Sequence, residues 1–508
     1  MGLFTKQSAA GIVGNDLARI LPTDAKPWYL TGHLLKLNFL LLFCLLSSSG
    51  FGYDGSMMNA LQSLAQWQNY FTPAANILGL LNAVNPLGGV FGFLVASFLS
   101  DRFGRRIPIF IGIVIIWGAT ALQAASTNVG QFIGSRFLIG VGNAVIVQSA
   151  PLLITELAYP THRGTVTSLF WTCYYVGSLL SSWITYGTAT LNSSWSWRIP
   201  SLLQAALPTL QFLGMFFVPE SPRWLIAHDK VDDAKRILTK YHAGGDESSA
   251  LVHWEVTEIQ EAIRLESSHQ QSFKLRELFR GKANRRRALI SICMGIFGQW
   301  AGNGIVSYYL TLILDAVGIT STQEQTLING ILQIVNLGAA IFASFMVDRL
   351  GRRRLFFWSN GGMLASYIVI TAGSATFAKT GDKAVGIVVV AFVILFNVHY
   401  DVAYTPLLIA YPTEIWQYSL RSMGISLTMV TTELALFFNL YVNPIALATI
   451  SWRYYIVYVV ILVIMFIVTY FLFPETKGYS LEEINQVFEG KKTADPNAAD
   501  LYAEKLNA

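Results

Sequence analysis

The sequence predicts an all-α membrane protein: twelve transmembrane helices in two pseudo-symmetric halves of six, joined by a cytosolic helical linker. Three observations carry that prediction. Of 508 residues, 53% are hydrophobic and only 13% charged, about half the charge of a soluble domain, so much of the surface is built to face lipid. The apolar residues fall into twelve runs, each close to the ~20 residues that a spanning helix needs. Three polar motifs also recur in the same order in both halves of the chain.

The twelve runs lie near Leu35–Asn59, Ile77–Leu99, Ile107–Ala125, Phe132–Leu157, Thr165–Tyr186 and Ile199–Val218, then Ala288–Leu314, Thr326–Val347, Phe356–Ala378, Val385–Ala410, Met423–Leu440 and Tyr454–Phe473. Lysine and arginine set their orientation. With the N-terminus inside, the short inner loops hold Arg102, Arg105, Arg106, Arg163, Arg349, Arg352, Arg353, Arg354 and Arg421. The outer loops hold Lys379 and Lys383, with Arg198 and Arg453 at helix mouths. This places both termini in the cytosol, with the plasma membrane as the expected host. Residues 1–34 lack the short apolar core of a signal peptide and read as a cytosolic segment. The expected units are then 1–34, a six-helix bundle at 35–218, a linker at 219–287, a second bundle at 288–473 and a cytosolic tail at 474–508. Within the linker, Val231–Tyr241 and Leu251–Leu265 read as amphipathic helices, the second with an apolar stripe of Leu251, Trp254, Ile259 and Ile263. Asn192-Ser193-Ser194, in an outer loop, is a candidate glycosylation site.

Several functions are excluded by composition. The net charge is +5, and no basic run carries interleaved aromatics, so nucleic acid is not expected as a partner. Cys44, Cys173 and Cys293 are far apart in apolar stretches and read as free buried thiols. No metal-ligand cluster, nucleophile motif or phosphate loop is present, so neither an enzyme nor a cofactor is expected.

The repeat is specific. Asp101-Arg-Phe-Gly-Arg-Arg106 follows the second span and Asp348-Arg-Leu-Gly-Arg-Arg353 the eighth. Glu156 precedes Arg163 by seven residues, as Glu414 precedes Arg421. Pro219-Glu220-Ser221 closes the first half and Pro474-Glu475-Thr476 the second, so the three offsets are 247, 258 and 255 residues. Repeated halves place a binding site near mid-membrane between them. The motifs put carboxylates and guanidiniums at the inner helix ends, where pairing across the halves would form a cytosolic gate through charge-assisted bonds. The alternative is that these arginines only set topology.

Ionisable residues inside spans are costly and therefore functional candidates. Asp54 and Arg136 lie at similar depth in the first and fourth spans, suited to pair and to couple a proton to transport; the alternative is a static salt bridge. Asp401 and Glu433 share a depth near the middle of the tenth and eleventh spans. Their carboxylates suit a polyhydroxylated ligand, or else pack protonated between helices. His399 is a further candidate for a proton path or a structural bond. Gln299, Trp300, Asn303 and Tyr308-Tyr309 in the seventh span, with Asn336 in the eighth, offer amides for hydroxyls and rings for sugar C–H faces.

These residues together identify a resemblance. Over roughly Leu35–Leu481 the chain resembles the sugar porter family of the major facilitator superfamily. The matching parts are the two DRxGRR loops, Glu156…Arg163-Gly164, Ser135-Arg136-Phe137, Pro219-Glu-Ser-Pro-Arg-Trp-Leu225, Gln299…Tyr308-Tyr309 and Pro474-Glu-Thr-Lys-Gly478. Gly52-Tyr-Asp-Gly-Ser-Met-Met-Asn59 is similar to the fungal branch that contains lactose permeases, cellodextrin transporters and hexose transporters. The resemblance implies a proton–sugar symporter, with Asp54 as the proton-linked carboxylate facing Arg136; a monomer is expected because the chain holds both halves of its own site. It also implies that Gln299 and Asn336 bind sugar hydroxyls, and that Asp401 fills a position kept acidic before the proline segment holding Pro406. The chain departs from the family's glucose carriers at Trp171, where they carry Gln, and at Gly304, where they carry Asn. Ile409 replaces a Trp, and Thr432-Glu433 replace Asn-Trp. The altered walls leave open a disaccharide, pentose, polyol or sugar acid, a non-sugar cargo such as quinate or a secondary metabolite, and a sugar sensor. The gate residues implied are Asp101, Arg102, Arg105, Arg106, Glu156, Arg163, Glu220 and Arg223 in the first half. In the second half they are Asp348, Arg349, Arg352, Arg353, Glu414, Arg421 and Glu475.

Overall fold

The computed structural model describes residues 28–269, 275–477, 484, 487 and 488. A 3-10 turn, Trp28–Leu30, leads into α1 (Gly32–Leu61), α2 (Ala65–Phe71), α3 (Ala75–Phe103), α4 (Arg106–Ala125), α5 (Val129–Leu157), α6 (Arg163–Thr188), α7 (Trp195–Leu203) and α8 (Ala206–Met215). The linker forms α9 (Pro222–Ala227), α10 (Val231–His242) and α11 (Ala250–His269). The second half holds α12 (Gly281–Trp300), α13 (Asn303–Ala316), α14 (Thr322–Leu350), α15 (Arg352–Thr380), α16 (Lys383–Ile415), α17 (Tyr418–Ile450) and α18 (Tyr454–Leu472).

Nine stretches among the described residues are long and apolar enough to cross a membrane. One of them, Met423–Leu472, holds two spans, divided by a 3-10 turn at Ser451–Arg453. The remaining two spans are α6 and the pair α7–α8. α6 is diluted by inward-facing polar residues, with Ser178, Ser181, Ser182 and Thr185 all buried. The α7–α8 span is interrupted at Gln204–Ala205. Pro208 accounts for the interruption, since its ring clashes with the carbonyl four residues earlier, that of Gln204. The seventh span is likewise broken, at Ala301-Gly302, where Gly302 takes a φ of +104°; the sequence reads it as one run. In the tenth span, by contrast, Pro406 and Pro412 lie inside α16 without ending it.

The outer surface carries Phe91, Leu94 and Phe98 of α3 and Ile464, Ile467 and Phe471 of α18, all exposed. Such a belt is stable only against lipid. Inside each half, helices touch through glycine. A Cβ on Gly177 of α6 would overlap the Ser49 carbonyl of α1, and one on Gly140 of α5 would overlap the Asn85 carbonyl of α3. Small residues at these crossings let the backbones meet and exploit van der Waals packing, which drives association where no hydrophobic effect operates.

One apolar cluster lies within the first half and linker, and one within the second half. A third joins the halves at one end, where Tyr53, Met57, Trp67 and Phe71 pack with Tyr309, Leu436 and Leu440. This is the end opposite the two arginine-rich turns; we call the two ends far and basic. The short helix α2, which has no span-length signal in the sequence, supplies Trp67 and Phe71. Polar bonds also cross between halves at the far end. Asn59 donates to Asn329 (3.2 Å) and accepts from the Leu310 amide (3.1 Å), Gln62 donates to the Tyr308 carbonyl (2.8 Å), and Ser63 meets Thr311 (2.9 Å).

The linker helices sit against the first half. Ser221 caps α9 by accepting from the Trp224 amide at 3.0 Å. His242 bonds Glu255 (2.8 Å) through Nδ1 and the Leu157 carbonyl (3.1 Å) through Nε2, tying α10 and α11 to the end of α5. The expected stripe divides: Leu251 and Trp254 join the first-half core, while Ile259 and Ile263 pack with Leu225 and Ile226. The three cysteines are free thiols, as expected, though only Cys44 is fully buried and the other two are half-buried.

Gly177→Ala is expected to destabilise the chain by about 1–3 kcal/mol through overpacking. Gly118→Ala, where the added methyl meets nothing within 4 Å, is the matched control. Thermal unfolding of both variants in detergent should show a lowered Tm for the first and an unchanged or higher Tm for the second.

Candidate functional site

Asp54 and Arg136 meet as an ion pair in the first half, each about 2% exposed or less. Two amides complete the carboxylate's shell: Gln204 donates to Oδ1 (2.8 Å) and Asn85 to Oδ2 (2.8 Å). Each donor comes from a different element: α5, the α7–α8 break and α3. The glycine crossing of Gly140 and Asn85 brings α3 and α5 close enough for this. Sequence reasoning placed the ion pair but passed over Asn85 and Gln204; an amide within an apolar run was the available signal. The second half approaches through Tyr308, whose hydroxyl lies with that of Tyr174 beside Gly55, at 3.7 and 2.5 Å from a Cβ built there.

A second layer of polar groups lies nearer the basic end. Asn143, Tyr175, Asn336, Asp401 and Glu433 are each 12 to 15 residues from the basic ends of their helices, or about 18–23 Å at ~1.5 Å per residue. Asp401 is 1% exposed. Its Oδ1 accepts from Tyr175 of the first half at 2.5 Å and from Thr405 at 2.7 Å. Its Oδ2 is buried without a partner, as are Asn336 Oδ1 and Asn143 Nδ2. Glu433 shares the depth of Asp401 but faces the other half, 3.5 Å from a Cβ built on Gly89 of α3. Trp171 is one turn from Tyr175 on the same face of α6, half-buried against the first-half core. His399 faces Gly362 of α15, away from these groups.

The break before α13 is held by side chains from other helices. Asn439 donates to the Gln299 carbonyl (2.6 Å) and Tyr367 to the Gly302 carbonyl (3.0 Å). Carbonyls freed at a break inside a membrane protein need such partners. Gln299 itself is 9% exposed, and Asn303, just past the break, accepts from Ser307 at 2.7 Å. A Cβ on Gly304 would lie 2.5 Å from Asn439 Nδ2 and 3.4 Å from Asn443 Nδ2. Amides of α17 thus fill the space beside the position where a family Asn is replaced.

At the basic end the repeated motifs form two copies of one arrangement. Gly104 and Gly351 turn the chain with φ of +90° and +89°. Arg105 Nε donates to Glu156 (3.1 Å) and Arg352 Nε to Glu414 (3.0 Å). Glu220 accepts from the Arg105 and Arg106 amides (2.9 and 3.3 Å), and Glu475 from those of Arg352 and Arg353 (2.9 and 3.1 Å). Each of these carboxylates therefore sits on a helix N-terminus, at α4 and α15, where it satisfies unpaired amides and meets the positive end of the dipole.

Each of these bonds runs within one half. The reason is local geometry: the glycine turn points the first two amides of the next helix at a carboxylate of its own half. Asp101 approaches Arg105 at 3.6 Å and Arg102 lies over Phe103. Partial burial lifts the linker carboxyl of Glu258 above its ordinary value, against the pull of Arg163 and Arg223. Arg349, Arg421 and Arg223 each engage a further group. The side chain of Asp348 lies outside the described residues. Asn192 is exposed in the far-end turn between α6 and α7. Among the described residues, no three His, Cys, Asp or Glu side chains gather as metal ligands would.

Breaking the central pair should cost about 3–5 kcal/mol from either side, since a buried charge is left alone. Thermal-shift measurements of Asp54→Asn and of Arg136→Gln in detergent should both show the lowered Tm.

The family model for sugar (and other) transporters matches residues 40–488. Among curated relatives, the MFS-type transporter criB of Aspergillus cristatus is 30% identical over 465 residues, covering 90% of this chain and 96% of the relative. The high-affinity glucose transporter of Kluyveromyces lactis is 28% identical over 478 residues, covering 90% and 86%. Among solved structures, the partially occluded inward-open form of the xylose transporter XylE from E. coli superposes with a TM-score of 0.73 at 23% identity. It covers 87% of this chain and 99% of that one. That likeness shows the fold, the twelve-helix major facilitator arrangement. The chain is a multi-pass membrane transporter, not an enzyme, and belongs to the sugar (and other) transporter family.

Proposed function

We propose that this chain imports a sugar, a mono- or disaccharide, by proton symport through alternating access. One observation carries the reading: Asp54 is a deeply buried carboxylate held by a guanidinium and two amides, all from the first half. Such a group can exchange its partner for a proton as the cavity opens, and an ionisable residue in a span is a coupling candidate by default. Gln299, Asn303, Asn336, Trp171, Tyr308, Asp401 and Glu433 are the proposed cargo contacts, offering amides, carboxylates and ring faces to hydroxyls and C–H surfaces. The basic end faces the cytosol, both termini included, by the excess of arginine there. The proposed units are the two bundles 35–218 and 288–473, the linker 219–287 and the two terminal segments. The working form is a monomer in the plasma membrane. The two carboxylate-clamped turns brace each half so that it moves as a body; this is our reading of the gate residues.

A second cargo class has one specific observation behind it. One relative, 30% identical over 465 residues, is named as an MFS-type transporter, without a sugar, and Trp171, Ile409 and Glu433 reshape the walls. A polyol, quinate or secondary metabolite is the alternative.

Uptake of a panel of labelled sugars in yeast lacking its own hexose carriers tests the proposal. Saturable uptake of at least one sugar is expected, falling about tenfold or more with protonophore and with Asp54→Asn. Uptake indifferent to both would make the chain a passive carrier. No uptake, with the protein at the surface, would move the cargo outside the sugars.

A further inference from the structure

The structure assigns a proton-sensitive tie between the halves: the bond from Tyr175 to Asp401 joins them on the basic side of the central ion pair, and a proton on Asp401 weakens it. The inference rests on the transport reading only in that the two halves move apart at the basic end.

The geometry carries the proposal. Asp401 belongs to α16 in the second half and Tyr175 to α6 in the first, and their oxygens are 2.5 Å apart. Thr405, one turn along α16, lies 3.4 Å from the same tyrosine hydroxyl and donates to the same carboxylate oxygen at 2.7 Å. Asp54 lies seven residues from the far end of α1, Asp401 fourteen from the basic end of α16. The Tyr175–Asp401 tie is thus on the basic side of the ion pair, while the Asn59, Gln62 and Ser63 bonds close the far side.

Oδ1 of Asp401 carries both hydroxyl donors, whereas Oδ2 is buried with no partner and is the oxygen that can take up a proton. The groups facing it are neutral or distant. α6 presents Tyr174 and Tyr175, and α16 itself presents Tyr400 and Tyr404. His399 points to Gly362 of α15, and Glu433 of α17 points to Gly89 of α3. α13 contributes Tyr308, and the middle turns of α12, α14 and α15 carry no charged residue. Among the described residues, no guanidinium or ammonium lies within salt-bridge distance of Asp401, in contrast to Asp54. A proton from solvent forms an O–H at Oδ2, the carboxyl becomes neutral, and Oδ1 becomes a weaker acceptor. The Tyr175 bond then loses its charge assistance, which roughly halves its strength.

The test needs no cargo, so it stands apart from the sugar reading. The full chain, with Cys44, Cys173 and Cys293 replaced by alanine, is spin-labelled at Ile107 on α4 and Trp358 on α15, both exposed near the basic end. It is then placed in lipid nanodiscs without sugar, and double electron–electron resonance reads the distance between halves. Tyr175→Phe is expected to at least double the population with the longer distance at pH 7.5. Lowering the pH to 5.5 should move the parent chain the same way, and Asp401→Asn should flatten that response. Thr405→Val, which keeps the cross-half bond, should match the parent. A Tyr175→Phe distribution equal to the parent's, or an Asp401→Asn chain with the parent's full pH response, would overturn the proposal. The Asp401→Asn arm decides the matter alone if Tyr175→Phe does not fold.

Discussion

The hydrocarbon interior of a bilayer offers no partner to a polar group, and the architecture of this chain follows from that constraint. Backbone amides are satisfied by running as helices, and side-chain polarity is driven inward. Where a helix must break, at Gly302, the freed carbonyls are met by Asn439 and Tyr367 from two neighbouring helices. Where a charge must be buried, at Asp54, it is met by a guanidinium and two amides from three directions. The polar groups that the membrane excludes from the surface are the ones buried between the helices.

Duplication multiplies this economy. One local device, a glycine turn feeding a helix N-terminus onto a glutamate, recurs at Gly104–Glu220 and Gly351–Glu475 with nearly the same bond lengths. The device works inside each half. The seam between halves is unequal at its two ends. Amides and hydroxyls join it at the far end together with an aromatic cluster. At mid-depth Tyr175 reaches across to Asp401, and Glu433 lies against Gly89 of the other half.

Much of this was legible in the sequence. Apolar runs set the number and order of spans, because the length of a spanning helix is dictated by bilayer thickness. The depth of Asp54 and Arg136 followed from a fixed rise per residue. The breaks at Gln204 and Gly302 were less legible, because a window of hydropathy averages over them. So was α2, whose Trp67 and Phe71 are buried only because Phe132 and Trp197 stand opposite. The pairing within each half was not legible for a related reason: Glu156 and Arg105 are 51 residues apart, and sequence spacing cannot say which arginine a carboxylate serves.

By itself, then, the sequence determined the class of solvent, the twelve helices, the internal repeat and which residues would be costly to bury. Those are properties of composition and of spacing along one helix. Only the tertiary structure decided who meets whom: Asn85 and Gln204 on Asp54, Tyr175 on Asp401, Glu433 turned toward Gly89 and away from Asp401. Partners of that kind depend on the rotation of each helix about its axis and on which glycines let two backbones touch. Those quantities are settled by packing all the helices at once, and no local stretch of sequence contains them.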